Sequence, residues 1–196
     1  MKSVAVKSEA QQAVLALHRM RQQLVKFRTA QINGLRGLLA EYGEVMPQGK
    51  RGIRKGISKA LQCLADRLPA VLIDTLREQF ERIGKLDAQV ADIERRLRQW
   101  HQEDPASQRI AAIPGVGLLS ATAAVATVGD QQAWRYLTLL IHGARSVLSH
   151  SKEPPQWATN LAKRRPHNVV VVALANKMAR TIWALLAHDR AYQKGL

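Results

Sequence analysis

Residues Ser8–Tyr42 read SEAQQAVLALHRMRQQLVKFRTAQINGLRGLLAEY, and this stretch decides the fold class. Ala13, Leu17, Met20, Leu24 and Phe27 are spaced by four, three, four and three, the stepping of a coiled-coil seam. Gln31 takes the next seam position, and Leu35 and Leu38 resume the stripe after Asn33-Gly34. The spacing predicts one long helix over Ser8–Tyr42. A second is predicted over Ala70–Trp100, where Leu72, Leu76, Phe80, Ile83, Leu86, Val90, Ile93, Leu97 and Trp100 line one side. Pro69 stands where a first helical turn tolerates proline. Neither helix can bury its stripe alone, so the two are expected to pair, as a hairpin or across a dimer. The expectation is an all-α protein with a coiled-coil hairpin over residues 1–104.

Composition agrees with packed helices. Of 196 residues, 46% are hydrophobic but only 5% aromatic, a balance suited to Ala-, Leu- and Val-rich cores and unsuited to disorder. The lone Cys63 excludes an intramolecular disulfide and a cysteine-based zinc site, and fits a reducing cytosol. Met1–Lys7 is too short and charged for a signal peptide. The longest charge-free run lies between Arg109 and Asp130, but Pro114, Gly115, Gly117, Ser120, Thr122, Thr127 and Gly129 interrupt it, so no membrane partner is expected. Thirty Lys and Arg face fifteen Asp and Glu, a net charge of +15 that points to a polyanion, nucleic acid first. The charge is uneven. Residues 1–60 carry twelve bases and three acids, residues 61–104 seven and nine, and residues 105–196 eleven and three. Two basic ends joined by a near-neutral spacer suggest two binding surfaces.

The connector over 43–60 holds Gly43, Gly49, Gly52 and Gly56 among Lys50, Arg51, Arg54, Lys55 and Lys59. Glycines there are expected to break the helix and let the backbone approach a phosphate that the bases neutralise. An ordinary solvated basic loop is the alternative. From residue 105 small residues dominate. Ser107–Ala112 reads as a short helix, Pro114-Gly115-Val116-Gly117 as a tight turn and Leu118–Val128 as a second helix, the helix-hairpin-helix pattern over 107–128. Such a turn offers backbone N–H groups to phosphate without reading sequence; a plain packing corner is the alternative. Beyond it, helices are expected over Tyr136–Leu148, from Pro154-Pro155 to Leu161, and over His167–His188, with Lys163-Arg164-Arg165-Pro166 as a basic elbow. Val169–Val172 is β-branched, but the helical spacing Val171, Leu174, Met178, Ile182, Leu185 runs on past it.

Catalytic and metal sites are not expected. Asp74, Glu78, Glu81, Asp87, Asp92 and Glu94 interleave with Arg77, Arg82, Lys85 and Arg95 on the spacer helix, where pairs such as Glu78–Arg82 and Glu81–Lys85 fit a salt-bridged solvated face. The six histidines are scattered, His142 and His150 lack an acidic companion, and Ser120 and Ser146 lack a neighbouring base.

Three stretches resemble one family. Val6-Lys7-Ser8-Glu9, Gln11-Gln12, Arg19-Met20-Arg21 and Asn33 through Gly43 are similar to the bacterial insertion-sequence transposases of the DEDD type, whose members are guided by a bridge RNA. Ile113-Pro114-Gly115-Val116-Gly117 through Gly129-Asp130 resembles the start of that family's C-terminal transposase domain. Tyr136–Arg145 and Val172–Arg180 resemble its end. The resemblance implies an N-terminal RuvC-like domain with four metal-binding acids, a coiled-coil insertion that assembles with RNA and DNA, and a C-terminal domain with a nucleophilic serine in a Ser-Gly-Gly-Lys-type segment.

Set against that family, the chain starts after the last metal-binding acid. Gln131-Gln132-Ala133-Trp134 runs straight into Arg135-Tyr136-Leu137, where the serine segment is expected. The expectation is a truncated, internally deleted copy with residues 105–196 as the remnant C-terminal domain. Mg²⁺ is implied only for the full-length family; no cofactor, metal ligand or catalytic residue is assigned here. The nucleic-acid contacts expected are Pro114, Gly115, Val116, Gly117, Lys50, Arg51, Arg54, Lys55, Lys59, Lys163, Arg164 and Arg165. The implied partners are DNA, guide RNA, and a second copy or the full-length transposase; the implied setting is the bacterial cytoplasm, at the nucleoid. Two alternatives stay open: a regulator that titrates full-length transposase through the coiled coil, and a standalone helix-hairpin-helix accessory protein.

Overall fold

A computed structural model describes residues 7–127 and 137–193, without the side chains of Lys50 and Leu137. The described residues form eight helices and no strand: α1 (Glu9–Glu41), α2 (Gly49–Leu64), α3 (Ala70–Glu103), α4 (Pro105–Ala111), α5 (Leu118–Thr127), α6 (Leu137–His150), α7 (Gln156–Ala162) and α8 (His167–Ala187). The protein is all-α, and the valine run 169–172 lies within a helix. The Gly129–Tyr136 join and the last residue of the expected Leu118–Val128 helix lie outside the described residues.

Local chemistry explains where the long helices start and stop. Ser8 and Gln11 form a reciprocal capping box: the Gln11 N–H donates to Ser8 Oγ at 3.2 Å and the Ser8 N–H to Gln11 Oε1 at 3.0 Å. At the other end of α1 the Glu44 N–H reaches the Leu39 carbonyl at 2.9 Å and the Gly43 N–H the Ala40 carbonyl at 3.0 Å. Gly43 adopts φ +88° to allow this Schellman closure. Asp104 caps α4, accepting from the Ser107 N–H at 2.6 Å, with Pro105 in the first turn.

The chain divides into two compact units, residues 19–93 and the remainder. In the first, three helices share one core. Ile32, Leu35 and Leu39 of α1 meet Ile53, Ile57, Ala60, Leu61 and Leu64 of α2 and Ile73, Leu76 and Ile83 of α3. The segment over 43–60 is therefore no loop: it is helical from Gly49 onward. Its stripe at 53, 57, 60, 61 and 64 recurs at helical spacing, and burying it outweighs a penalty of about 1 kcal/mol per glycine. Two of the glycines serve packing instead. A Cβ on Gly52 would lie 2.3 Å from the Pro47 carbonyl oxygen, and one on Gly56 2.5 Å from Met46 Sδ.

Adding α2 also rotates α1 away from its expected seam. Met20, Phe27 and Leu38 are about half exposed, while Val14, Leu15, Ile32 and Leu39 are buried and, of the expected stripe, Leu35 is buried as foreseen. The α3 stripe holds as expected, with Leu76, Ile83, Leu86, Val90 and Leu97 buried.

The second unit packs small residues closely. Ile110, Ile113 and Val116 lie against Ala121, Leu140, Ala144, Val147, Val171, Leu174, Ala175, Met178 and Ile182. Helix α8 is the one described helix long and apolar enough to cross a bilayer. Its Val170, Val171, Leu174, Ala175, Met178 and Ile182 are buried in this core. At the start of α1, buried His18 places Nε2 3.0 Å from Thr122 Oγ1. That hydroxyl donates to the Leu118 carbonyl at 2.9 Å, so it accepts from the imidazole N–H. The histidine is a packing element.

Candidate nucleic-acid interface

Because Ile53, Ile57 and Leu64 turn inward, the cations of α2 turn outward. Arg51, Lys55 and Lys59 are exposed and four residues apart, so they form one row about 12 Å long at 1.5 Å rise per residue. Arg54 stands beside that row with a second engagement. Its Nη2 donates to Asp87 Oδ2 at 2.9 Å, while Arg28 Nη1 donates to Asp87 Oδ1 at 2.9 Å. Asp87, with only 11% of its side chain exposed, thus ties α1, α2 and α3 together. On the exposed face of α3 the pair Asp74–Arg77 closes at 3.0 Å; Glu78, Arg82, Glu81 and Lys85 are exposed. The seam residues Phe27, Gln31 and Leu38 line an open groove of 510 Å³ with Gln79 and Arg82. Gln31 Nε2 donates to Gln79 Oε1 across it at 2.7 Å.

The Pro114–Gly117 turn is built as a turn, but its two glycines do different work. The Val116 N–H donates to the Ile113 carbonyl at 2.9 Å, and the Val116 side chain is buried. Gly115 has φ +83°, and a Cβ there would lie 2.6 Å from Val147 Cγ2 and 2.8 Å from the Gly143 oxygen. Reciprocally, a Cβ on Gly143 would lie 2.0 Å from the Gly115 oxygen. Turn and α6 therefore touch backbone to backbone. Gly117 is exposed with nothing near its missing Cβ, and Pro114 is exposed beside it. Only Pro114 and Gly117 of this quartet face outward freely. Lys163, Arg164 and Arg165 are all exposed where α7 gives way to α8.

Sequence reasoning missed one feature of this unit. A cleft of 640 Å³ is lined by Ile113, Pro114, Val147, Leu174 and Met178, with Trp157, Lys177 and Tyr192 around it. Lys177 Nζ sits over the Trp157 ring, 5.4 Å from its centroid. Twenty residues separate that pair, so no local pattern could have signalled it. Among the described residues no three His, Cys, Asp or Glu come together as metal ligands.

The described residues make an all-helical protein with exposed cations on α2 and at the α7–α8 corner. The chain is 35% identical over 234 aligned positions to a Pseudomonas aeruginosa protein named as a probable family 20 transposase, covering all of this chain and 69% of that one. It is 34% identical over 233 positions to the transposase for insertion sequence element IS1111A of Coxiella burnetii, covering 100% of this chain and 64% of the relative. To the transposase for insertion sequence element IS1328 of Yersinia enterocolitica it is 28% identical over 229 positions, with 97% and 68% covered. The chain belongs to the bacterial insertion-sequence transposases. It spans roughly two thirds of these relatives' lengths. No family model and no solved structure matches it.

Proposed function

We infer that this chain acts on DNA in transposition as the nucleic-acid-binding part of a DEDD-type, bridge-RNA-guided transposase, without strand-transfer activity of its own. The single observation that carries the binding reading is the row Arg51–Lys55–Lys59, exposed on a helix whose opposite face is core, in a chain of net charge +15. Lys163–Arg165 and the outward Pro114 and Gly117 supply a second contact in the other unit. Under this reading residues 1–104 hold the hairpin and assembly surface, and residues 105–196 the remnant transposase domain.

The inactivity reading rests on what the residues can do. Phosphoryl transfer assisted by metal needs carboxylates converging on the ion. Among the described residues no three potential ligands converge, and Asp87 is neutralised by two arginines. These residues do not fit a Mg²⁺ site, and no step is routed through one. A serine route needs a positioned nucleophile, and no Ser-Gly-Gly-Lys segment occurs. The alignment with the Pseudomonas relative is 234 positions long against 196 residues here, so it includes several tens of positions with no residue of this chain. That surplus supports reading the chain as internally deleted.

The test measures affinity for duplex DNA across a salt series, with strand cleavage assayed in parallel on a terminal-end substrate with guide RNA and Mg²⁺. The expected outcome is a steep log–log fall in affinity, from counterion release, and no cleavage. A flat slope would sink the binding reading. Cleavage abolished by mutating a residue of this chain would sink the inactivity reading.

A second reading, a regulator that associates with itself or with full-length transposase, is favoured by the exposed Met20, Phe27 and Leu38 on α1.

A further inference from the structure

The cleft beside the Pro114 turn differs from the cation rows in chemistry. Its floor is apolar, formed by Ile113, Val147, Leu174 and Met178. Its walls carry two aromatic rings, Trp157 and Tyr192, both half-buried, and two lysines, Lys152 and Lys177, against one carboxylate, Glu153. A surface for phosphates alone needs no apolar floor, and a hydrophobic packing site needs no lysine drawn over an indole. The combination suits a ligand that is flat and apolar on its faces and anionic at its edge. At 640 Å³ the cleft is large enough for a single nucleotide.

Its position adds a second argument. Trp157 lies on α7, whose C-terminal end runs directly into the exposed Lys163-Arg164-Arg165 elbow. Seven residues of helix span about 10 Å. A strand whose phosphates lie on the elbow could therefore bring a neighbouring nucleotide to the cleft.

We propose that the cleft lined by Trp157, Lys177, Met178 and Tyr192 receives one unpaired base of a bound nucleic acid. The base stacks on the Tyr192 ring, since Lys177 already covers the Trp157 face, and its phosphate meets Lys177. Stacking on aromatic side chains is tolerant of base identity, so the cleft senses unpairing rather than sequence. The proposal rests on the nucleic-acid-binding reading above.

The experiment uses the 196-residue chain and three fluorescent probes: a fully paired duplex, the same duplex with one unpaired adenine, and the single strand. Fluorescence anisotropy gives each affinity. The wild-type protein is expected to bind the two probes with unpaired bases about fivefold or more tightly than the paired duplex. Lys177→Gln and Tyr192→Ala should each erase that preference and leave affinity for the paired duplex within about twofold. Thermal midpoints check folding, and if Tyr192→Ala unfolds the protein, Lys177→Gln decides. Equal binding of all three probes by the wild type overturns the cleft while the nucleic-acid reading stands. Equal losses on every probe in the Lys177 variant also overturn it, reducing Lys177 to a general phosphate contact. Binding to none of the probes overturns both readings.

Discussion

The two units of this protein are held together in different ways, and the difference decides how each responds to substitution. Residues 19–93 use large aliphatic side chains on three helices, with Asp87 and its two arginines across them. The other unit brings backbones into contact at Gly115 and Gly143 and fills the surroundings with alanine. Side chains can relax around a lost methyl group; two backbones in contact have nothing to move aside. The exposed cations follow the same division. The three-helix unit displays its cations from a helix face, whereas the other unit displays them at a corner and beside a cleft.

Gly143→Ala should break the contrast most severely. Its new methyl group would sit 2.0 Å from the Gly115 oxygen, and a loss of about 3 kcal/mol in urea unfolding is expected. Leu76→Ala, in the hairpin core, should cost a similar or slightly smaller amount, about 2–3 kcal/mol, through a cavity that neighbouring side chains partly close. Equal effects from Gly143→Ala and a surface alanine would show that the backbone contact carries no stability.

Asp87→Asn tests the ionic link. It leaves Arg28, with 20% of its side chain exposed, without its counter-charge, and should cost about 1–2 kcal/mol, discounted for solvent around Arg54. A double substitution with Arg28→Met should recover part of the loss in a double-mutant cycle.

Leu24→Glu against Leu86→Glu separates the exposed seam from the core. Leu86 is buried, so its substitution should lower the thermal midpoint; Leu24 is half-buried, so its substitution should mainly lower the measured mass of any oligomer. If neither quantity moves, α1 has no docking role.

The smallest effect is expected for Gly117→Ala, within about 0.5 kcal/mol because its missing Cβ faces open space. Gly115→Ala, strained and crowded, should destabilise strongly. A drop in DNA affinity for Gly117→Ala at unchanged stability would place a phosphate contact at this turn, free of the folding defect that confounds Gly115.

Most helices were legible because periodicity and breakers agree along the chain: Pro69 and Pro166 each stand just before a helix. The 43–60 connector was misread because its four glycines argued locally for a loop, while the stripe from Ile53 to Leu64 counted only once there was a core to bury it. The seam on α1 was misassigned in part: Met20, Phe27 and Leu38 are exposed, whereas Leu35 is buried as expected. Of the candidate site, the cations were legible by charge. Their status was not: Arg54 is shared with Asp87, Val116 is buried, and Gly115 is packed against α6.

What the sequence determined by itself was the helical class, the placement of most helix ends and the basic character of the surface, all properties of near neighbours and overall composition. The tertiary structure alone decided which helical face became core, which arginine acquired a carboxylate partner, why glycine stands at 115 and 143, and that Trp157 meets Lys177. Those depend on contacts between residues far apart in the chain, which packing selects and local spacing does not encode.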